Sequence, residues 1–296
     1  MKLALFSVAA ALLPACLLFL AAPAQPAAAM RPASAAGSPG PQHVMSLSMC
    51  TDDLLLELLP PERIASVTYY ARARSNLALW PQAAEVAVNA GTAEEVLAAK
   101  PDLVLAGTFT TPATRGLLED LHVALLEVPP ANDFDEIREV TRRVAHALQR
   151  DAAAESLLAA MDATLRSLAQ TKPRRDIRVA AWGEGGSIPG KGTLFDAVLR
   201  AAGGTNIAAL HSNQAYTSFD IEQLLAARPD VIAYPSNIGE TPGRSTERAL
   251  HPLILKLYAG KRVAYSSVLT SCGLPASVQA AVSLREHLES ALGAGP

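Results

Sequence analysis

The sequence predicts an α/β protein made of two Rossmann-like lobes with parallel sheets, joined by one long rigid helix. Three observations predict it. From Val44 onward, short apolar runs alternate with helical stretches, the pattern of parallel strand-helix-strand units. Two blocks 128 residues apart, Thr92 to Ala106 (TAEEVLAAKPDLVLA) and Asp220 to Tyr234 (DIEQLLAARPDVIAY), share Glu, Leu, Ala, Ala, Pro and Asp at equivalent places. That offset is far too long for a solenoid and indicates a duplicated domain. Between the blocks, Asp151 to Gln170 contains no Gly or Pro, and a helix of about twenty residues spans roughly 30 Å as a stiff rod.

The elements follow in order. A strand is expected at Val44 to Leu47, a helix at Asp53 to Leu59 and a strand at Ile64 to Thr68. A helix at Ala93 to Ala99 opens on a capping box, Thr92 with Glu95, and leads through Pro-Asp to a strand at Leu103 to Ala106. Thr111-Pro112 supplies a capping hydroxyl and a proline for the first helical position, opening a helix that ends near His122 before a strand at Ala124 to Val128. Asp133 to Gln149 and Asp151 to Gln170 are helical with Asp caps. The theme then repeats: a strand at Val179 to Trp182, a helix from Leu194 ending at Gly203-Gly204, and a helix at Ile221 to Ala227 with Asp220 and Gln223 as its capping box. Strands at Val231 to Tyr234 and Arg262 to Tyr265 and a final helix from about Ala276 to Leu292 complete the chain. The domain map is a signal peptide over 1–29, a flexible tether over 30–42, an N-terminal lobe over 43–132, a helical connector over 133–172 and a C-terminal lobe over 173–296.

The signal assignment rests on Met1-Lys2 followed by an apolar run to Leu20, broken by Pro14, and on Ala-x-Ala sites at Ala22-Pro23-Ala24 and Ala27-Ala28-Ala29. Leu13-Pro14-Ala15-Cys16 resembles a lipoprotein attachment box only loosely, because apolar Leu17 to Leu20 continue past the cysteine. An exported chain with 25 Lys plus Arg against 28 Asp plus Glu has no basic field for nucleic acid or an anionic membrane. Cleavage leaves Cys50 and Cys272, too few for a disulfide scaffold or a structural zinc site. The six histidines are scattered without ligand spacing, so no metal site is expected. Gly185-Gly186-Ser187-Ile188-Pro189-Gly190-Lys191-Gly192 nearly matches a phosphate-cradling loop, but Gly192 offers no hydroxyl for magnesium and Pro189 no backbone donor. There is no Gly-x-Ser-x-Gly elbow. The sequence therefore nominates no catalytic residue and no cofactor, and a secreted α/β hydrolase or nucleotide-binding enzyme built on the 185–193 loop stands only as the alternative.

From Val44 onward the chain resembles the periplasmic substrate-binding proteins of ABC importers for cobalamin and iron-siderophore complexes. The resemblance is carried by VMSLSMCTDDLLLEL at the start, the two Glu-to-Pro-Asp blocks at Glu94 and Glu222, and WGEGGSIPGKGTLFDAVLRAAGGTNIA. It implies a monomeric periplasmic protein that is not an enzyme. Such a protein binds a bulky metal chelate, cobalamin-like or a ferric siderophore, between its lobes and docks to an inner-membrane permease through one glutamate per lobe, here Glu94 and Glu222. By position, Tyr70, Trp182 and Tyr216 match aromatics that contact the corrin ring in cobalamin-binding members, and Tyr69 adjoins the first of them. The segment Glu85 to Gly91 lacks the tyrosine with which haem-binding members ligate iron, and also the aromatic found there in cobalamin-binding members. Arg72 and Arg74, beside the tyrosine pair, suit an anionic siderophore. Cys50 and Cys272 fall in loops after the first and last strands, one per lobe at the cleft, where they are expected either to pair or to touch the ligand.

Overall fold

The computed structural model describes residues 40–73, 80–171, 173, 175–183, 187–237, 247 and 249–293. The N-terminal lobe is built on five parallel strands, β1 (Val44–Ser46), β2 (Ile64–Thr68), β3 (Val88–Asn89), β4 (Leu103–Gly107) and β5 (Leu125–Val128), in the order β3-β2-β1-β4-β5. Its helices are α1 (Met49–Leu58), α2 (Trp80–Ala83), α3 (Ala93–Ala99) and α4 (Pro112–Asp120). The C-terminal lobe carries a second parallel sheet of β6 (Ile177–Ala181), β8 (Gly204–Asn206), β10 (Val231–Pro235) and β11 (Arg262–Tyr265), ordered β11-β10-β6-β8. A small antiparallel hairpin pairs β7 (Ser187–Pro189) with β9 (Tyr216–Ser218).

Two antiparallel helices, α5 (Phe134–Leu148) and α6 (Asp151–Gln170), connect the lobes. Asp133 caps α5 through the backbone N–H groups of Asp135 and Glu136. Asp151 is the first residue inside α6; the capping position falls to Arg150, which makes no side-chain cap bond. Arg138 donates to Asp162 at 2.6 Å and Arg142 to Glu155 at 2.6 Å, cross-linking the two helices on their solvent side. Ile137, Val144, Leu148, Leu158 and Met161 bury the other side in the main hydrophobic core.

The remaining helices, α7 (Leu194–Ala202), α8 (Ile207–His211), α9 (Ile221–Ala226), α10 (Pro252–Leu257), α11 (Ser267–Ser271) and α12 (Val278–Gly293), flank the second sheet. The α7 helix stops where Gly203 takes φ 88°, a left-handed conformation that glycine adopts without strain. Arg285 of α12 is only 5% exposed. It donates to the carbonyls of Leu168 (3.1 Å) and Thr171 (2.7 Å) at the end of α6, and of Ala201 (3.2 Å) and Ala202 at the end of α7. A guanidinium thus satisfies the orphan carbonyls, and meets the negative ends, of two converging helices. This fastens the connector to the C-terminal lobe.

The duplicated blocks become α3–β4 and α9–β10. Each helix carries the expected capping box: Glu95 N–H donates to Thr92 Oγ1 at 3.3 Å, and Gln223 N–H to Asp220 Oδ1 at 2.6 Å. Each following strand lies beside the first strand of its sheet, β4 beside β1 and β10 beside β6.

Candidate functional site

In both lobes the chain starts near the middle of the sheet, builds outward to one side, and then crosses to the other. The strand order therefore reverses between β1 and β4, and again between β6 and β10. At such a switch point the loops leaving neighbouring strands diverge and open a crevice beyond the carboxyl edge of the sheet. The two crevices face one cavity of about 550 Å³, within the range of small-molecule sites. Ser48 after β1 and Gly107 to Phe109 at the end of β4 line it from one lobe; Ala181 and Gly183 at the end of β6, with Pro235 and Asn237 at the end of β10, line it from the other.

Aromatic faces stand on both sides. Phe109, 89% exposed, stands on the wall of the N-terminal lobe. Opposite, the rings of Phe195 and Tyr265 pack 4.7 Å apart, joined on the wall by Tyr216, which is 63% exposed. Burial pushes the Tyr265 phenol up to about 12, with the neighbouring Tyr216 adding to the effect, so Tyr265 is a neutral hydroxyl at ordinary pH.

The two cysteines are brought together as a disulfide with a Cα–Cα distance of 5.2 Å, and both lie on the cavity wall. Cys50 is not in a loop as expected: α1 begins at Met49, four residues ahead of its expected start, which places Cys50 in the first turn of the helix. Cys272 caps the end of α11. Beside the bridge, a Cβ on Gly273 would collide with the backbone of Ala131. Two lobe-to-lobe contacts, one covalent and one of close-packed backbone, therefore share the stretch Cys272-Gly273.

Other expected contacts change. Trp182 is 2% exposed and sits in the core, off the cavity wall. Its backbone N–H continues the ladder by donating to Ala233 O at 2.7 Å. Ala181 faces the cavity, and successive residues of an extended chain point to opposite faces, so the indole points inward. Tyr69 and Tyr70 stack on each other at 4.2 Å, are 51% and 46% exposed, and do not line the cavity. Arg72, expected to meet an anionic ligand, donates to Ala83 O at 3.0 Å and Val86 O at 2.7 Å. Arg74 lies outside the described residues.

The described part of the glycine-rich loop, from Ser187 onward, is taken up by a hairpin strand and not by a phosphate cradle. Gly185 and Gly186 lie outside the described residues, Ser187 to Pro189 is strand β7, and Gly190 N–H donates to Ala215 O at 2.7 Å. Phe109, Phe195 and Tyr265 are the aromatic wall residues that the sequence does not single out. The available signal is position: Phe109 follows β4, Phe195 lies in the first turn of α7, and Tyr265 ends β11, all at the sheet's carboxyl edge.

Glu94 and Glu222 are both exposed, each the second residue of its helix. In a parallel sheet the helix that runs back toward the next strand starts at the carboxyl edge, so both carboxylates lie toward the cavity end of their lobes. Behind the wall, Thr68 binds the Asp52 carboxylate through N–H (3.0 Å) and Oγ1 (2.5 Å), tying α1 to the end of β2. Burial pushes Asp52 up to about 6 against these bonds, and burial together with Asp53 pushes Glu57 up to about 7.

The fold agrees with what the chain is similar to. The model of a family described as "Periplasmic binding protein" matches residues 44–256. A cobalamin-binding protein of Halobacterium salinarum is 25% identical over 202 residues, covering 65% of this chain and 53% of that protein. The chain thus spans about half the length of the curated relatives it matches. Among solved structures, the periplasmic vitamin B12 binding protein of Vibrio cholerae superposes with a TM-score of 0.65 at 19% identity, over 85% of this chain and 98% of that one. The heme-binding protein HutB of the same organism gives 0.70 at 16% identity, over 83% and 98%. The molybdate-binding protein MolA of Haemophilus influenzae gives 0.66 at 16% identity, over 85% and 87%. At these identities the structures establish the fold alone, whereas the family match covers well over half of the sequence: the chain belongs to the periplasmic binding protein family.

Proposed function

We propose that this protein is the periplasmic solute-binding component of an ABC importer, capturing a bulky metal chelate between its lobes and handing it to an inner-membrane permease. The observation that carries the proposal is the cavity of about 550 Å³ built at the switch points of both sheets, with aromatic faces contributed by each lobe. Flat rings bury a large apolar area while freezing few rotamers, which suits a macrocycle or a chelate with apolar arms. Family membership and the named ligands of the relatives, vitamin B12 and heme among them, support the same class. The ligand contacts we assign are Cys50, Phe109, Phe195, Tyr216, Tyr265 and Cys272.

Glu94 and Glu222 serve as the permease contacts, one per lobe, supported by their exposure and matched placement. Charge of this kind on an interface rim steers docking more than it adds affinity. The bound chelate leaves unchanged; no step of the cycle needs a catalytic group. The test is chelate accumulation by cells that depend on this protein, carrying Glu94→Lys and Glu222→Lys together. Uptake should be lost while the purified variant binds chelate as before. Uptake at the original level would refute the docking assignment.

A further inference from the structure

Tyr216 stands on the β7–β9 ribbon, which pairs with neither parallel sheet, and it lies opposite Pro189 in that ribbon. A two-stranded ribbon is marginal in water unless something else holds it. Buried polar side chains hold this one. Asn206, 2% exposed, ends β8 and caps α8, where its Oδ1 accepts from Ala208 N–H at 3.1 Å. That bond fixes which way the amide points, so Nδ2 is the donor, to Pro189 O at 3.0 Å and to Asp196 Oδ1 at 3.2 Å.

Thr193, the capping residue of α7, adds a second tie. Its Oγ1 donates to Gly190 O at 2.8 Å and accepts from Asp196 N–H at 3.3 Å. Two successive carbonyls, Pro189 O and Gly190 O, are thus each taken by a buried side chain, one from β8 and one from the start of α7. Gly190 N–H bonds Ala215 O at 2.7 Å, and a Cβ on Gly190 would lie 2.7 Å from Gln214 O, so the backbones meet closely where the ribbon is pinned. Asp196 directly follows Phe195, so the same network sets the Tyr216 ribbon against the helix turn that bears the Phe195 ring.

We infer that Asn206 is a positioning residue of the binding wall: its amide, aided by Thr193, holds the Tyr216 ribbon in place before a ligand arrives. The inference rests on the chelate-binding proposal above and adds how that site is kept preformed. Asn206 lies off the cavity wall, so its effect passes through Pro189 and Tyr216. A ring already in place loses little freedom when a ligand binds, whereas a ring on a loose ribbon must be ordered in the same step, which weakens the complex.

The test exchanges two groups. In Asn206→Asp with Asp196→Asn, the carboxylate at 206 still caps α8 and still accepts from an amide at 196, but Pro189 O loses its donor. Amide hydrogen exchange of ligand-free protein, followed by NMR, should quicken at Gly190 at least tenfold relative to Trp182, whose N–H bonds Ala233 O in the main sheet. Calorimetric titration with a cobalt corrin and with a ferric hydroxamate should show the probe that wild type binds held about tenfold less tightly. Tyr216→Ala should weaken wild type about fivefold or more but the exchanged variant less than about twofold, a coupling that a general loss of stability does not produce. Thr193→Ser should keep the wild-type values and Thr193→Val should lose them in the same direction, which decides the matter should the exchanged variant not fold. Unchanged Gly190 exchange, or an equal Tyr216→Ala effect in both backgrounds, would overturn the inference and leave the chelate-binding proposal standing. If wild type binds neither probe, the chelate-binding proposal fails by itself, and Gly190 exchange still decides whether Asn206 places the ribbon.

Discussion

Removing the Cys50–Cys272 bridge is the sharpest perturbation of the fold. The bond closes a loop with a sequence separation of 222 residues and ties α1 of one lobe to the segment after α11 of the other. In the chain-entropy model, a closed loop of 222 residues restricts the unfolded chain by about 18 cal/mol/K, or about 5 kcal/mol near room temperature. Measured losses for native bridges run from about 2 to 5 kcal/mol, so Cys50→Ser with Cys272→Ser should lower unfolding free energy by that amount. The assay is urea unfolding of oxidised wild type, dithiothreitol-reduced wild type and the double variant, followed by far-UV circular dichroism. Reduced wild type and the variant should unfold at similar, lower urea concentrations. Chelate affinity should fall as well, because both sulfurs lie on the cavity wall. Full alkylation of both thiols in protein kept from reductant, or a loss under about 1 kcal/mol, would refute the reasoning.

Three further outcomes are expected. Arg285→Met should cost about 3 to 5 kcal/mol in urea unfolding, because it strips the partner from carbonyls closing α6 and α7; a cost under about 1 kcal/mol would mean water replaces the guanidinium. Asp52 and Glu57 hold their protons more tightly folded than unfolded, so their contribution is full at acidic pH and is lost as pH rises toward about 6 and about 7 respectively. Unfolding free energy should therefore drop as pH rises, by up to about 1.4 kcal/mol per pH unit for each proton, through the window from 3.8 to about 6 for Asp52 and from 4.5 to about 7 for Glu57, and Asp52→Asn with Glu57→Gln should flatten that slope. Trp182→Ala should cost about 3 to 5 kcal/mol through the cavity it leaves, whereas Tyr69→Ala and Tyr70→Ala, at exposed positions, should each change stability by about 0.5 kcal/mol or less.

What could be read from the sequence followed from periodicity and punctuation. The strand at Ile64 to Thr68, the helix at Ala93 to Ala99 and the strand at Arg262 to Tyr265 are found at their expected bounds, since apolar runs and capping residues act locally. Strands β3, β7, β8 and β9 escaped notice because each is two or three residues long and is defined by a partner distant in sequence. The aromatic residues show the same limit. Position at a strand end was legible, but the face on which a side chain emerges was not, so Trp182 was placed in the cleft when it belongs to the core. Phe109, by contrast, owes its exposure to the turn after β4, which no local pattern in the sequence marks. The cysteines could be assigned to one region of space but not to a bond, because only packing of the two lobes brings α1 to the end of α11.

The central claim is that a metal chelate binds in the cavity between the lobes, and calorimetric titration of a cobalt corrin and a ferric hydroxamate against wild type and Phe109→Ala with Tyr216→Ala tests it most directly. The account predicts one site per chain for at least one chelate, with affinity reduced at least tenfold in the variant and urea stability unchanged, since both rings are largely exposed. Absence of binding by both chelates, or equal affinity in wild type and variant, would contradict it.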